Sequence, residues 1–142
     1  MNPRRIALGI LVLFLAIQVV PVDRSNPPER ERLQAPPAVE AILQRSCVDC
    51  HSNQTHWPWY AYVAPASWLV THDVEEGREY LNFSTWDLYD EDERVDLYEE
   101  IAEVIEDGEM PLWFYVPLHP EAQLSEQDSA TLIRWAKTAA DE

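Results

Sequence analysis

Basic side chains are scarce in this chain. Its 142 residues hold 10 Lys and Arg against 26 Asp and Glu, a formal charge of −16 at pH 7. Such a surface repels the phosphates of nucleic acid and of anionic lipid headgroups, so neither is a ready partner and basic ones fit better. The same charge also serves plain solubility. No segment alternates apolar and polar side chains as a half-buried strand does, which excludes a β class, and no internal repeat is present. Cysteine is limited to Cys47 and Cys50, and after the initiator the sole methionine is Met110. One pair of thiols without a second paired-ligand cluster argues against a structural zinc site on Cys47, Cys50 and two of His51, His56, His72 and His119. The lack of a strand–helix–strand pattern around the pair argues against a thioredoxin-like redox dithiol.

What is present is Cys47-Val48-Asp49-Cys50-His51. Two thiols on one turn of backbone are close enough to add across the two vinyl groups of a single haem. An imidazole directly after the second thiol is then placed beneath the porphyrin, where it can bind iron. The motif therefore reads as the attachment site of one covalent haem c, with Cys47 and Cys50 as thioether residues and His51 as proximal ligand. For the other axial position, Gly108-Glu109-Met110-Pro111 offers a thioether in a loop just past a helix end, which makes Met110 the leading candidate. His119 and His72 are the alternatives, and an open sixth position is the third. Trp57, Trp59, Tyr60, Trp68, Trp86, Trp113 and Tyr115 are expected either to wall an apolar haem pocket or to serve as ordinary core. Arg78 is expected to pair a haem propionate or a carboxylate on its own helix.

Three segments follow from composition. Residues 1–22 carry Arg4 and Arg5 and then an apolar stretch, Ile6 to Val22, of 17 residues. As a helix this spans about 25 Å against a hydrocarbon core of ~30 Å. No small-residue cleavage site closes it, so an uncleaved signal anchor is favoured over a cleaved signal peptide. The positive-inside rule then predicts a single-pass protein of the bacterial cytoplasmic membrane with its domain on the periplasmic side. Residues 23–36, with Pro27, Pro28 and Pro36, predict an extended charged spacer that does not pack against the domain. Residues 37–142 predict an all-α domain. Helices are expected from Pro37 to the thiol motif, from near Pro65 to Leu81, from Glu91 to Asp107, and after an N-cap at Ser125. Gly108 is expected to end the third helix.

The motif after a helix, then G-x-M-P, then an aromatic-bearing terminal helix resembles a small class I cytochrome c. More closely, the chain resembles the bacterial haem-binding domain family that has a single C-x-x-C-H motif. The stretches that carry this are Cys47 to Asn53, Trp57-Pro58-Trp59-Tyr60, Val63 to Leu69, His72-Asp73-Val74, Glu76-Gly77-Arg78, Leu81 to Ser84, and Gly108 to Pro111. Further matches are Gln18 to Pro21, Arg24 to Pro28, Trp86, Tyr115, His119-Pro120 and Leu124-Ser125. The resemblance implies haem binding, in some members beside cytochrome c peroxidase-like proteins. The expected function is that of a membrane-tethered c-type cytochrome with a cytochrome c-like fold, carrying single electrons to or from a redox partner protein. The second expectation is a peroxidase-like or gas-sensing module with an open sixth site, in which His56 or His72 would serve as acid–base group. The third is a structural zinc module.

Overall fold

The computed structural model describes residues 2–141. Five helices follow in order: α1 Pro3–Ile17, α2 Pro37–Ser46, α3 Ala66–Tyr80, α4 Glu91–Glu106 and α5 Glu126–Ala140. Short 3-10 turns occupy Trp59–Tyr62, Trp86–Leu88, Val116–Leu118 and Pro120–Ala122, and there is no strand among the described residues. The expected all-α class is observed, with α2 to α5 within a residue or two of the expected bounds.

Local chemistry sets the helix ends. Asp90 and Glu93 form a reciprocal capping box at the start of α4, and Ser125 and Asp128 do the same for α5. Each such cap contributes about 1 kcal/mol. At the end of α4, Gly108 takes φ 70°. Its N–H donates to the Ile105 carbonyl and the N–H of Glu109 to that of Val104, the paired bonds of a Schellman turn. A side chain at that φ would be strained, which is why glycine stands there.

The core lies where α4, α5 and α2 meet. Val39, Ile42 and Leu43 of α2 pack with Leu97, Ile101 and Ala102 of α4 and with Leu132 and Ala136 of α5. Trp86, Tyr89, Tyr98 and Trp135 extend this core through edge-on and tilted ring contacts 5.3 to 5.5 Å apart. Trp86 is thus a core residue of the α4–α5 pair. Ion pairs Arg45–Asp128 and Lys137–Glu106 tie α2 and α4 to α5 at the surface.

Two expectations about the N-terminal third are corrected. No helix among the described residues is long and apolar enough to cross a membrane, so the single-pass anchor, and the cytoplasmic-membrane location and orientation drawn from it, are not supported. The apolar run of 17 residues does not stay helical: α1 ends at Ile17 after 15 residues, about 22 Å. Gln18 then turns the chain onto the domain. Its side-chain amide donates to the Ala64 carbonyl at 3.1 Å and accepts from the Ala64 N–H at 2.9 Å. These reciprocal bonds compete with helix continuation.

The stretch after residue 22 also packs, where a free spacer was expected. Leu33 is buried in the core. Backbone bonds join Arg30 to Ser84, Leu33 to Phe83, and Trp86 to Glu31. Arg30 pairs with Asp87 at 2.7 Å. The prolines keep this strap extended, and three of its backbone groups, those of Arg30, Glu31 and Leu33, bond to residues 83–86.

Candidate haem site

Cys47 is the C-cap of α2, and its N–H still donates to the Leu43 carbonyl. The chain then coils once more, with the N–H groups of Cys50 and His51 both donating to the Cys47 carbonyl at 3.2 and 2.9 Å. Val48 anchors this coil in the core. Beyond it, Ser52 Oγ donates to the Val48 carbonyl and Thr55 Oγ1 to that of Asp49, both at 2.7 Å. The thiols are free and on one turn. Burial pushes both up to about 12, helped at Cys50 by Asp49 and Asp73, so both are protonated at neutral pH. A redox dithiol needs the opposite, a thiol lowered toward neutrality.

His51 is held from α3. Its Nδ1 lies 2.9 Å from the Gly77 carbonyl and 3.1 Å from that of Leu81. Carbonyls only accept, so Nδ1 carries the proton and Nε2 keeps its lone pair. Burial lowers the His51 pKa and outweighs the two carbonyls, which keeps the ring neutral. A neutral imidazole with one nitrogen oriented by a carbonyl and the other free is the form that ligates metal. Its backbone is fixed too, since the Phe83 N–H donates to the His51 carbonyl at 2.8 Å.

This approach depends on Gly77, which sequence reasoning did not single out as a site residue. A Cβ there would stand 2.9 Å from the Cys50 carbonyl oxygen and 3.2 Å from the Cys50 carbonyl carbon. The buried face of α3 is otherwise Ser67, Thr71 and Val74. A glycine inside a helical pattern was the available signal, because it costs ~1 kcal/mol relative to alanine and so marks close approach. Arg78 forms no ion pair with a carboxylate of its own helix among the described residues. Its guanidinium bonds the Ser52 and Ser25 carbonyls, Asn26 Oδ1 and Thr55 Oγ1, joining α3 to the strap and to the loop after the motif.

A cleft opens beside Cys50, lined by Pro58, Tyr60, Val70, Val74, Tyr115 and the acidic Asp49 and Asp73. Tyr60 and Tyr115 of the expected aromatic wall are therefore at the site, whereas Trp59, Trp68 and Trp113 are exposed. Trp57 places its indole N–H, buried and without a partner among the described residues, in the loop that edges this cleft. Free adjacent thiols, an oriented imidazole and aromatic and aliphatic walls are the donor and wall chemistry that a haem takes.

Of the other ligand candidates, His72 is exposed on α3 facing Glu76 at 3.5 Å, and His56 is exposed beside Asp49. His119 is enclosed. Its ring stacks on Tyr115 at 4.0 Å, its Nε2 meets the Tyr60 hydroxyl, and its Nδ1 lies 3.3 Å from Glu121. Met110 follows the Schellman turn, partly buried, with its N–H donating to the Val104 carbonyl at 3.2 Å. No group of three or more His, Cys, Asp or Glu among the described residues is placed to hold a metal ion.

No curated protein and no solved structure is detectably similar to this chain. The family model described as a haem-binding domain matches residues 12–138, nearly the whole chain including the strap, the thiol motif and Met110, and the chain belongs to that family.

Proposed function

We propose that this haem-binding domain holds a single haem c covalently and works as a one-electron carrier. Cys47 and Cys50 supply the thioethers, each thiol adding to one vinyl group. His51 Nε2 is the proximal ligand and Met110 the distal one. The observation that carries the reading is the orientation of His51: its Nδ1–H is spent on the Gly77 and Leu81 carbonyls, so only Nε2 is left to bind iron. When bound, the haem supplies an iron that takes up and releases one electron. The protein's part is to fix the ligands, exclude water with Tyr60, Tyr115, Val70 and Val74, and set the potential. A thioether opposite imidazole raises that potential relative to a second imidazole. The acidic surface suits docking to a redox partner with a basic face, a cytochrome c peroxidase-like protein among them.

Covalent attachment is tested on protein made with a c-type maturation system. Its colour is expected to stay with the chain through denaturation and acidic acetone; full extraction overturns the thioether assignment. Distal ligation is tested by Met110→Ala. The variant is expected to lose the weak sulfur-to-iron band at the red end of the oxidised spectrum and to bind CO readily, while His72→Ala keeps the wild-type spectrum. A wild-type spectrum without that band removes Met110 from the iron.

A further inference from the structure

Tyr60 and His119 lie 59 positions apart in sequence, yet their side chains meet at the mouth of the cleft. The geometry fixes the direction of the bond. His119 Nδ1 faces the Glu121 carboxylate at 3.3 Å, which can only accept, so Nδ1 carries the ring proton. Nε2 is then a lone pair, and the Tyr60 hydroxyl donates to it. The imidazole is 14% exposed at its side chain and is clamped by Tyr115, coplanar within 6° at 4.0 Å. Phenol, imidazole and carboxylate are thus in series from the cleft to the surface.

We propose that Tyr60 is a redox-active tyrosine whose proton acceptor is His119. The step balances in one electron and one proton. Tyr60 gives an electron to a strong one-electron oxidant at the cleft, which is thereby reduced; its O–H bond breaks and an N–H bond forms at His119 Nε2. Glu121 stabilises the resulting imidazolium, and return of an electron to the phenoxyl oxygen brings the proton back. The inference rests on the redox-partner reading for its source of oxidant, the peroxide-oxidised iron of a docked cytochrome c peroxidase-like protein, since Met110 fills the second position on this chain's own iron. The requirement for a base is physical. Partial burial pushes the Tyr60 phenol away from ionisation, so its proton leaves together with the electron, and an acceptor must already be hydrogen-bonded. Imidazole is a stronger base than carboxylate, with ordinary pKa values of about 6.5 and 3.9. That distinguishes Tyr60 from Tyr115, whose hydroxyl donates to the Asp49 carboxylate at 3.2 Å. Trp59, edge-on to Tyr60 at 5.7 Å and 77% exposed, offers the oxidising equivalent an exit to the surface.

The test generates ruthenium(III) tris-bipyridine by a laser flash in the ferric protein and follows the tyrosyl radical by electron paramagnetic resonance. Wild type is expected to give a neutral tyrosyl signal that forms more slowly in D2O. Tyr60→Phe is expected to lose most of it, His119→Gln to slow its formation, and Tyr115→Phe to leave it unchanged. An unchanged signal in Tyr60→Phe overturns the proposal. If that variant does not fold, the wild type decides: formation at equal rates in H2O and D2O means that no proton moves with the electron, and the assignment fails. The external oxidant makes the outcome independent of haem attachment, whose own failure shows separately as colour lost to acidic acetone.

Discussion

Gly77→Ala sets two known effects against each other, and the structure decides between them. In an open helix the change stabilises by about 1 kcal/mol, because alanine is the better helix former. At position 77 the new methyl meets the Cys50 carbonyl oxygen at 2.9 Å, inside van der Waals contact. That oxygen belongs to backbone held on both sides, by the Cys50 N–H bond to Cys47 and by the His51 carbonyl bond to Phe83, so it cannot rotate away. Overpacking of this kind costs roughly 1–3 kcal/mol, and the rigidity of the obstacle puts it in the upper part. The net expectation is a loss of about 1–2 kcal/mol. For a domain of this size that lowers the melting temperature by roughly 3–9 °C. The assay is a thermal melt followed by helical circular dichroism, with Glu79→Ala on the exposed face of α3 as control. Relief of the clash also pulls the Gly77 carbonyl from His51 Nδ1, so the imidazole should turn and, with His51 as the proposed ligand, the electron paramagnetic resonance of the ferric protein should shift. A variant melting at or above wild type would refute the close approach and with it the account of how His51 is aimed.

Other perturbations probe separate parts of the fold. Arg78→Lys retains the charge and loses the planar fork that reaches Ser52, Ser25, Asn26 and Thr55; it should destabilise by about 2 kcal/mol in urea unfolding, and a change under half that would demote the arginine to a surface ion. Hydrogen bonds from the Ser125 hydroxyl and backbone N–H, aided by Arg45, hold Asp128 down to about 2 in the folded chain. A carboxylate depressed on folding gives stability that is complete above its unfolded pKa, near 3.8, and fades as pH falls toward 2. Asp128→Asn should flatten the stability profile across that window and leave its shape near neutrality unchanged, as read from urea midpoints at several pH values. Removing residues 2–33 should expose the core that Leu33 covers and lower the urea midpoint of the remaining chain, whereas an independent spacer would be lost without effect.

The helical framework was legible because its signals are local. Leu97 and Ile101 repeat at helical spacing and are buried as that spacing requires, and Gly108 stops α4 with the backbone only glycine adopts freely. The thiol motif was legible for the same reason, its three groups lying within five positions. The strap was not. Its residues signal extended backbone, but what they bond to is Phe83, Ser84 and Trp86, some fifty positions later, and composition carries no trace of that pairing. Tyr60 and His119 are equally remote from one another. The apolar run does form a helix, α1, but it ends at Ile17, where the side chain of Gln18 bonds Ala64, a residue 46 positions away that the run itself does not signal.

The span between His51 and its support translates into time. The imidazole is aimed by Leu81, 30 positions downstream. At roughly 5–20 residues per second, the thiols exist for about 2–6 s of synthesis before α3 can close over them. The proposed thioether chemistry at Cys47 and Cys50 requires thiols that α3 has not yet covered. Before that interval, the motif has not been made; after it, both thiols are partly buried and protonated and the glycine face of α3 has closed against Cys50. On the proposed thioether reading, the order of residues along the chain favours loading ahead of closure, and a faster-closing α3 would lower the fraction of chains that receive the cofactor.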